Sequence, residues 1–245
     1  MGDTTDWTKP STGLWATLGH PHTAAAMAVD GIDWICLDAQ HGRFDDAAML
    51  DALDHLRLRR TRVLVRVLAA RDDVIGRALD GGADGVIVPL VSSAAEAGES
   101  VAAAFYPPIG RRSWGPMIDP APNPAQANEH VLCAVMVETA EALDRVEEIA
   151  ATPHLGMIFV GPFDLSLALG LDLEEMIDDL DTNSPLQRVV RACRSAGIAA
   201  GVFAGAPERA SRLRRHGFDA VSISTDARVL ADGAAAAVSA AGPRG

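Results

Sequence analysis

Five polar side chains stand at or just past the ends of apolar runs, and their types could assemble one reactive centre. Val135-Met136-Val137 stops on Glu138, and Ile158-Phe159-Val160 stops on Gly161-Pro162, with Asp164 just beyond. Gly-Pro breaks strand and helix periodicity alike, so Asp164 falls near the free N–H groups that open the next helix. Two carboxylates placed this way could give oxygens to a hard divalent cation, with water and a ligand completing the octahedron. Taken singly, each has a lesser alternative as a helix cap or a first-turn charge. The run Trp34-Ile35-Cys36-Leu37 stops on Asp38, and His41 follows three residues later, so Asp38 could orient an imidazole that takes a proton. Arg66 lies between Val65 and Val67. A guanidinium in so apolar a stretch needs an anion, either Glu138 or a bound ligand.

Other candidates are weaker. His20 and His22 flank Pro21 without a zinc-binding spacing, and Ser166 and Ser222 lack the turn that exposes a nucleophilic serine. The only lysine is Lys9, in a polar N-terminal stretch, so Schiff-base chemistry has no buried candidate. Cys36, Cys133 and Cys193 have no paired spacing and read as small core residues of a reducing cytoplasm. A formal net charge of −12 argues against nucleic acid and anionic membrane as partners. No apolar run approaches the length of a membrane span, and residues 1–12 show no secretory leader.

The elements that must position the five side chains come next. Apolar, mostly non-alternating runs predict strands over 13–18, 33–38, 62–67, 85–89, 132–138, 156–160, 198–203 and 220–224, each followed by a helical stretch. Strands buried on both faces and alternating with helices pair in parallel. Eight such units in 245 residues predict a single-domain (β/α)8 TIM barrel over residues 13–245, after a polar tail over 1–12. A doubly wound sheet is the rival, but Leu18-Gly19-His20-Pro21 stands where a dinucleotide fold carries its glycine-rich turn, and no P-loop occurs, so no nucleotide is expected. Barrels build their sites at the C-terminal ends of the strands, which would bring the five residues together. The connection over 106–128 should lie at the opposite face, where Arg111, Arg112 and Trp114 would contact another subunit. The last helix, over 227–241, is almost all alanine and offers little apolar area of its own, so it needs a larger partner surface.

Six motifs carry a family resemblance. Gly13-Leu14-Trp15, Asp38-Ala39-Gln40-His41-Gly42, Gly82-Ala83-Asp84-Gly85-Val86-Ile87-Val88-Pro89, Tyr106-Pro107-Pro108-Ile109-Gly110-Arg111-Arg112, Val137-Glu138-Thr139 and Gly161-Pro162-Phe163-Asp164-Leu165-Ser166 resemble the HpcH/HpaI aldolases, relatives of citrate lyase β-subunits. The resemblance implies metal-dependent pyruvate aldolases, with Glu138 and Asp164 as ligands of Mg2+, Mn2+ or Co2+. It implies Arg66 beside the keto oxygen and His41 with Asp38 as the proton-transfer pair. Trp15, Gln40, Gly161, Pro162 and Phe163 would surround the substrate, whose carboxylate meets N–H groups near Gly161. It also implies a homo-oligomer, often a hexamer built from dimers, in which the last helix packs on a neighbour. Two positions depart from the pattern: Gln40 where the family often has Glu, and Met136 where it often has Gln. Both remove polarity or charge around the metal's water shell.

The implied reaction is reversible cleavage of a 4-hydroxy-2-oxo acid into pyruvate, or a close 2-oxo acid, and an aldehyde. Cleavage leaves an enolate, and with no usable lysine a divalent metal and Arg66 are the remaining electrophiles. The alternatives are a citrate-forming type of synthase condensing the same enolate, or a catalytically silent 2-oxo acid-binding protein. The intact proton-transfer pair speaks against the last.

Overall fold

A computed structural model describes residues 6–242; the first five residues of the expected tail and the last three of the expected domain lie outside the described residues. The chain opens with β1 (Ser11–Ala16), α1 (Pro21–Ala26), β2 (Trp34–Asp38), α2 (Asp46–Leu56) and β3 (Arg62–Arg66). It continues through α3 (Asp72–Asp80), β4 (Gly85–Val88), α4 (Ala94–Ala104), α5 (Pro124–His130) and β5 (Leu132–Val137). Then come α6 (Ala140–Asp144), α7 (Val146–Ala150), β6 (Met157–Val160), α8 (Pro162–Leu169) and α9 (Leu173–Asp178). The chain closes with α10 (Pro185–Ala196), β7 (Ala199–Phe203), α11 (Pro207–His216), β8 (Ala220–Thr225) and α12 (Asp226–Ala241).

The eight strands form a closed parallel barrel in chain order, with β8 returning to β1. This is the (β/α)8 architecture expected from the apolar runs. Successive residues serve two cores, as the two-residue period of a strand requires. Ile35, Leu37, Val63, Val65, Val135, Val137, Ile158 and Val160 face outward into the layer beneath the helices. Trp34, Cys36, Leu64, Ile87, Ala134, Met136, Met157 and Phe159 fill the interior. Large rings pack there against missing side chains: a Cβ on Gly13 would overlap the Trp34 indole, and one on Gly201 the Phe159 ring.

The N-terminal end of the barrel is clamped by a repeated triplet. Gly31-Ile32-Asp33, Gly82-Ala83-Asp84 and Gly217-Phe218-Asp219 precede β2, β4 and β8, with glycine φ values of +91°, +97° and +95°. That left-handed backbone is the reason for glycine. Each aspartate accepts an N–H at the start of the preceding strand: Thr12 N at 2.7 Å, Val63 N at 2.6 Å and Ala200 N at 2.9 Å. Burial pushes the Asp84 and Asp219 carboxyls up.

Three expectations need correction. β1 begins at Ser11 rather than Gly13, and Trp7 is buried in the interior core with Arg62 3.5 Å above its ring. The described part of the expected tail therefore belongs to the barrel. α5 and α9 were not expected; Asn123 and Gln126 form a reciprocal cap on α5, and Asp172 caps α9. Arg111 pairs with Asp72 and Glu99, and Arg112 with Asp80, so these arginines are satisfied within their own chain. Trp114 remains half exposed against Tyr106. The last helix calls for no correction: α12 leaves its own barrel uncovered, with only Asp226 buried and every residue from Ala227 to Gly242 exposed. Among the described residues, no helix is long and apolar enough to cross a membrane.

Candidate active site

The interior-facing series of β2, β3 and β5 turn polar at their C-terminal ends, and that of β6 ends on glycine. Trp34 and Cys36 lead to Asp38, Leu64 to Arg66, Ala134 and Met136 to Glu138, and Met157 and Phe159 to Gly161. The alternation of the strand thus aims these residues at the barrel mouth. Trp15, Thr17, Asp38, His41, Arg66, Met136, Gly161, Phe163, Asp164 and Phe203 line a cavity of about 200 Å3 there. Gln40 and Pro162 do not line it, and Glu138 stands behind Gly161.

Asp38 and Arg66 are register partners on β2 and β3, and both are buried. Arg66 grips both carboxylate oxygens, Nε to Oδ1 at 2.9 Å and Nη2 to Oδ2 at 2.5 Å. Trp15 Nε1 donates to Asp38 Oδ2 at 3.1 Å, and the backbone N–H groups of Gln40 and His41 donate to Oδ1. Burial alone would raise this carboxyl, but the Arg66 fork, helped by His41 N–H and the Trp15 indole, holds it below the usual range. Two expectations change here. The anion for Arg66 is Asp38, not Glu138. Asp38 receives the His41 backbone N–H, and among the described residues no hydrogen bond joins it to the imidazole, because its oxygens are already engaged. His41 itself is exposed and lines the cavity.

Glu138 is buried, and its Oε1 accepts the Leu90 N–H at 2.8 Å. Leu90 reaches that position with φ +57°, a left-handed conformation unusual outside glycine and worth about 1–3 kcal/mol of strain. Burial raises the Glu138 carboxyl; the Leu90 N–H opposes this, and the neighbouring Asp164 charge adds to it. Asp164 is the third residue of α8, exposed at the cavity, and none of the described residues donates a hydrogen bond to its carboxylate. It is a first-turn acid, not the cap, which is Gly161.

These residues fit a divalent cation. A Cβ on Gly161 would stand only 3.0 Å from Glu138 Oε2, so glycine keeps open the space in front of that oxygen. Asp164 lies near enough for its charge to act on Glu138, and among the described residues its oxygens are unengaged. Among the described residues, no three His, Cys, Asp or Glu side chains converge on a metal position. Two carboxylates with water and substrate oxygens suit a hard cation rather than an all-protein cage.

The apolar wall was less legible beforehand. Phe203, at the last interior position of β7, packs edge-on against Trp15 at 5.3 Å and against Phe163 at 6.0 Å. Its place at the end of an interior series was the available signal. Thr17, just past β1, carried none.

A profile of the HpcH/HpaI aldolase/citrate lyase family matches residues 11–233. The chain belongs to this family. A hydroxypyruvate/pyruvate aldolase of Chromohalobacter salexigens is 34% identical over 241 residues, covering 93% of this chain and 91% of the relative. A solved family member from Burkholderia cenocepacia superposes with a TM-score of 0.87 at 31% identity, covering 97% and 96% of the two chains. Macrophomate synthase superposes with a TM-score of 0.79 at 25% identity, covering 97% of this chain and 87% of its own. The family's relatives thus include aldolases, which make and break carbon–carbon bonds.

Proposed function

We propose that the protein is an aldolase that reversibly cleaves a 4-hydroxy-2-oxo acid into pyruvate, or a close 2-oxo acid, and an aldehyde. The observation that carries this reading is the buried Arg66, immobilised by Asp38 at a cavity that Asp164 lines with its carboxylate unengaged among the described residues. With its Nε and one Nη2 proton committed to Asp38, Arg66 presents its remaining N–H groups to the keto oxygen. There it stabilises the charge that develops as the enolate forms, worth about 3–4 kcal/mol for a single well-placed donor. The open N–H groups of Phe163 and Asp164 at the start of α8 receive the substrate carboxylate. His41 takes the proton of the 4-hydroxyl as the C3–C4 bond breaks, and the aldehyde leaves. Trp15, Phe163 and Phe203 exclude water from the enolate carbon. A cation on Glu138 and Asp164, Mg2+, Mn2+ or Co2+, would polarise the 2-oxo group.

Likeness to macrophomate synthase supports one second reading, condensation of the same enolate with another oxo compound. Incubating purified enzyme and cation with a panel of 4-hydroxy-2-oxo acids, while following pyruvate release, tests the first reading. Enolate condensation without cleavage of any panel member would select the second.

The exposed α12 supports a homo-oligomer in which this helix seats on a neighbour, and the family resemblance supports a hexamer built from dimers. Light scattering that finds an active monomer at micromolar concentration refutes it. The three buried, unpaired cysteines support a cytoplasmic placement, which cell fractionation tests.

A further inference from the structure

We propose that Asp226, at the head of α12, is a positioning residue for His41, acting through Thr17 and the backbone of Arg43. Asp226 is fully buried. Its Oδ1 accepts the Thr17 backbone N–H and the Thr17 hydroxyl, each at 2.9 Å, and its Oδ2 accepts the Leu18 N–H at 2.9 Å. The Thr17 carbonyl in turn accepts the Arg43 N–H at 2.9 Å. Gly19, at φ +69°, packs so closely on the Arg43 carbonyl that any Cβ would overlap it. The loop that carries His41 is therefore tied at two points: Asp38 holds the N–H groups of Gln40 and His41, and Thr17 holds Arg43.

Two features make Asp226 more than a helix cap. The rest of α12 is exposed and contributes no buried residue to its own barrel, so the burial of this carboxylate serves the turn after β1. The imidazole of His41 has no hydrogen bond of its own among the described residues, so its position is inherited from the loop backbone. A displacement of about 1 Å at a reacting group can cost about a hundredfold in rate. Only a carboxylate suits the position: asparagine would keep one acceptor and turn an amide donor toward backbone donors.

The inference rests on His41 being the proton-transfer group, so His41→Ala is measured beside Asp226→Asn in the cation-loaded enzyme. Turnover of retro-aldol cleavage is compared with competitive inhibition by oxalate, which reports binding at the 2-oxo acid position. Asp226→Asn is expected to lower kcat about ten- to hundredfold and to leave the oxalate inhibition constant within about twofold. Thr17→Val should lose part of the same rate, Thr17→Ser should restore most of it, and adding Thr17→Val to Asp226→Asn should cost little more. If Asp226→Asn does not fold, the Thr17 pair decides: equal rates for Val and Ser overturn the relay. A loss of kcat and oxalate binding together, or a lower melting temperature with kcat unchanged, overturns it as well. His41→Ala with normal turnover sinks both this inference and the proposed role of His41. A crippled His41→Ala beside a fully active Asp226→Asn sinks this inference alone.

Discussion

Carboxylates occupy both ends of the barrel, and their surroundings differ in kind. At the N-terminal end, Asp33, Asp84 and Asp219 each take a backbone N–H from the neighbouring strand and close a geometric gap in the sheet. At the C-terminal end, Asp38 is saturated by a guanidinium, an indole and two N–H groups. Glu138 gives one oxygen to Leu90, and Asp164 gives none. Residues of one chemical class thus clamp strands at one end, while at the other Asp38 is saturated and Glu138 and Asp164 keep oxygens without a hydrogen-bond donor among the described residues. The number of donors already engaged separates structural acids from those left for chemistry.

The largest effects should fall on the unengaged pair. Chelation of divalent cations should abolish cleavage, with Mg2+, Mn2+ or Co2+ restoring it. Glu138→Ala and Asp164→Ala should each weaken cation binding while keeping the circular dichroism of the native barrel. Full turnover after verified cation removal would break the contrast between the two ends.

Next come the groups that act on the substrate. Arg66→Ala should lower both pyruvate enolisation and cleavage by roughly two to four orders of magnitude. Deuterium exchange into pyruvate measures the first and aldehyde release the second. His41→Ala should lower cleavage by roughly two to four orders of magnitude yet still bind a 2-oxo acid. Exchange and cleavage that fall by the same factor in both variants would show that the two side chains do not divide the work.

A third prediction sets the two ends against each other in stability. Asp38→Asn leaves the buried Arg66 without its counter-charge and should cost about 3–5 kcal/mol in urea unfolding. Asp84→Asn keeps an oxygen for the Val63 N–H and removes a charge that burial disfavours, so its cost should stay near 1 kcal/mol, with kcat unchanged. Equal costs would erase the distinction.

The smallest effect is the pH dependence, and it has opposite signs at the two ends. The Asp38 carboxyl is held low in the fold, so its contribution is present above the unfolded value of about 4 and is lost as pH falls through the depressed value. The Asp84 carboxyl is raised, so its contribution is present below about 4 and is lost as pH rises through the raised value. Relative to wild type, Asp84→Asn should therefore gain stability as pH rises above about 4, measured by urea unfolding at each pH. No trend, or the reverse, would contradict the burial of that charge.

Much of this was legible because it is local. Strand runs such as Val63-Leu64-Val65 and Met157-Ile158-Phe159-Val160 declare themselves by composition, and a polar residue at the end of an interior series points into the mouth whatever the partner. Glu138 and Arg66 were found on that basis and Asp164 and His41 from their places just past such runs, whereas Trp15 came from the family resemblance. The short helices α5 and α9 were missed because their caps, Asn123 and Asp172, sit in polar stretches with no apolar period to mark them.

What the sequence determined by itself, then, is the alternation of eight buried strands with helices and the acids, arginine and histidine at their ends. Those properties depend on neighbours within a few residues. Only the tertiary structure decided that Asp38 holds the Arg66 side chain and only the backbone of His41. It also decided that Asp226 reaches Thr17 across 209 positions of chain. Such pairings are set by strand register and barrel closure, which bring distant residues side by side and give each donor to the acceptor it meets first.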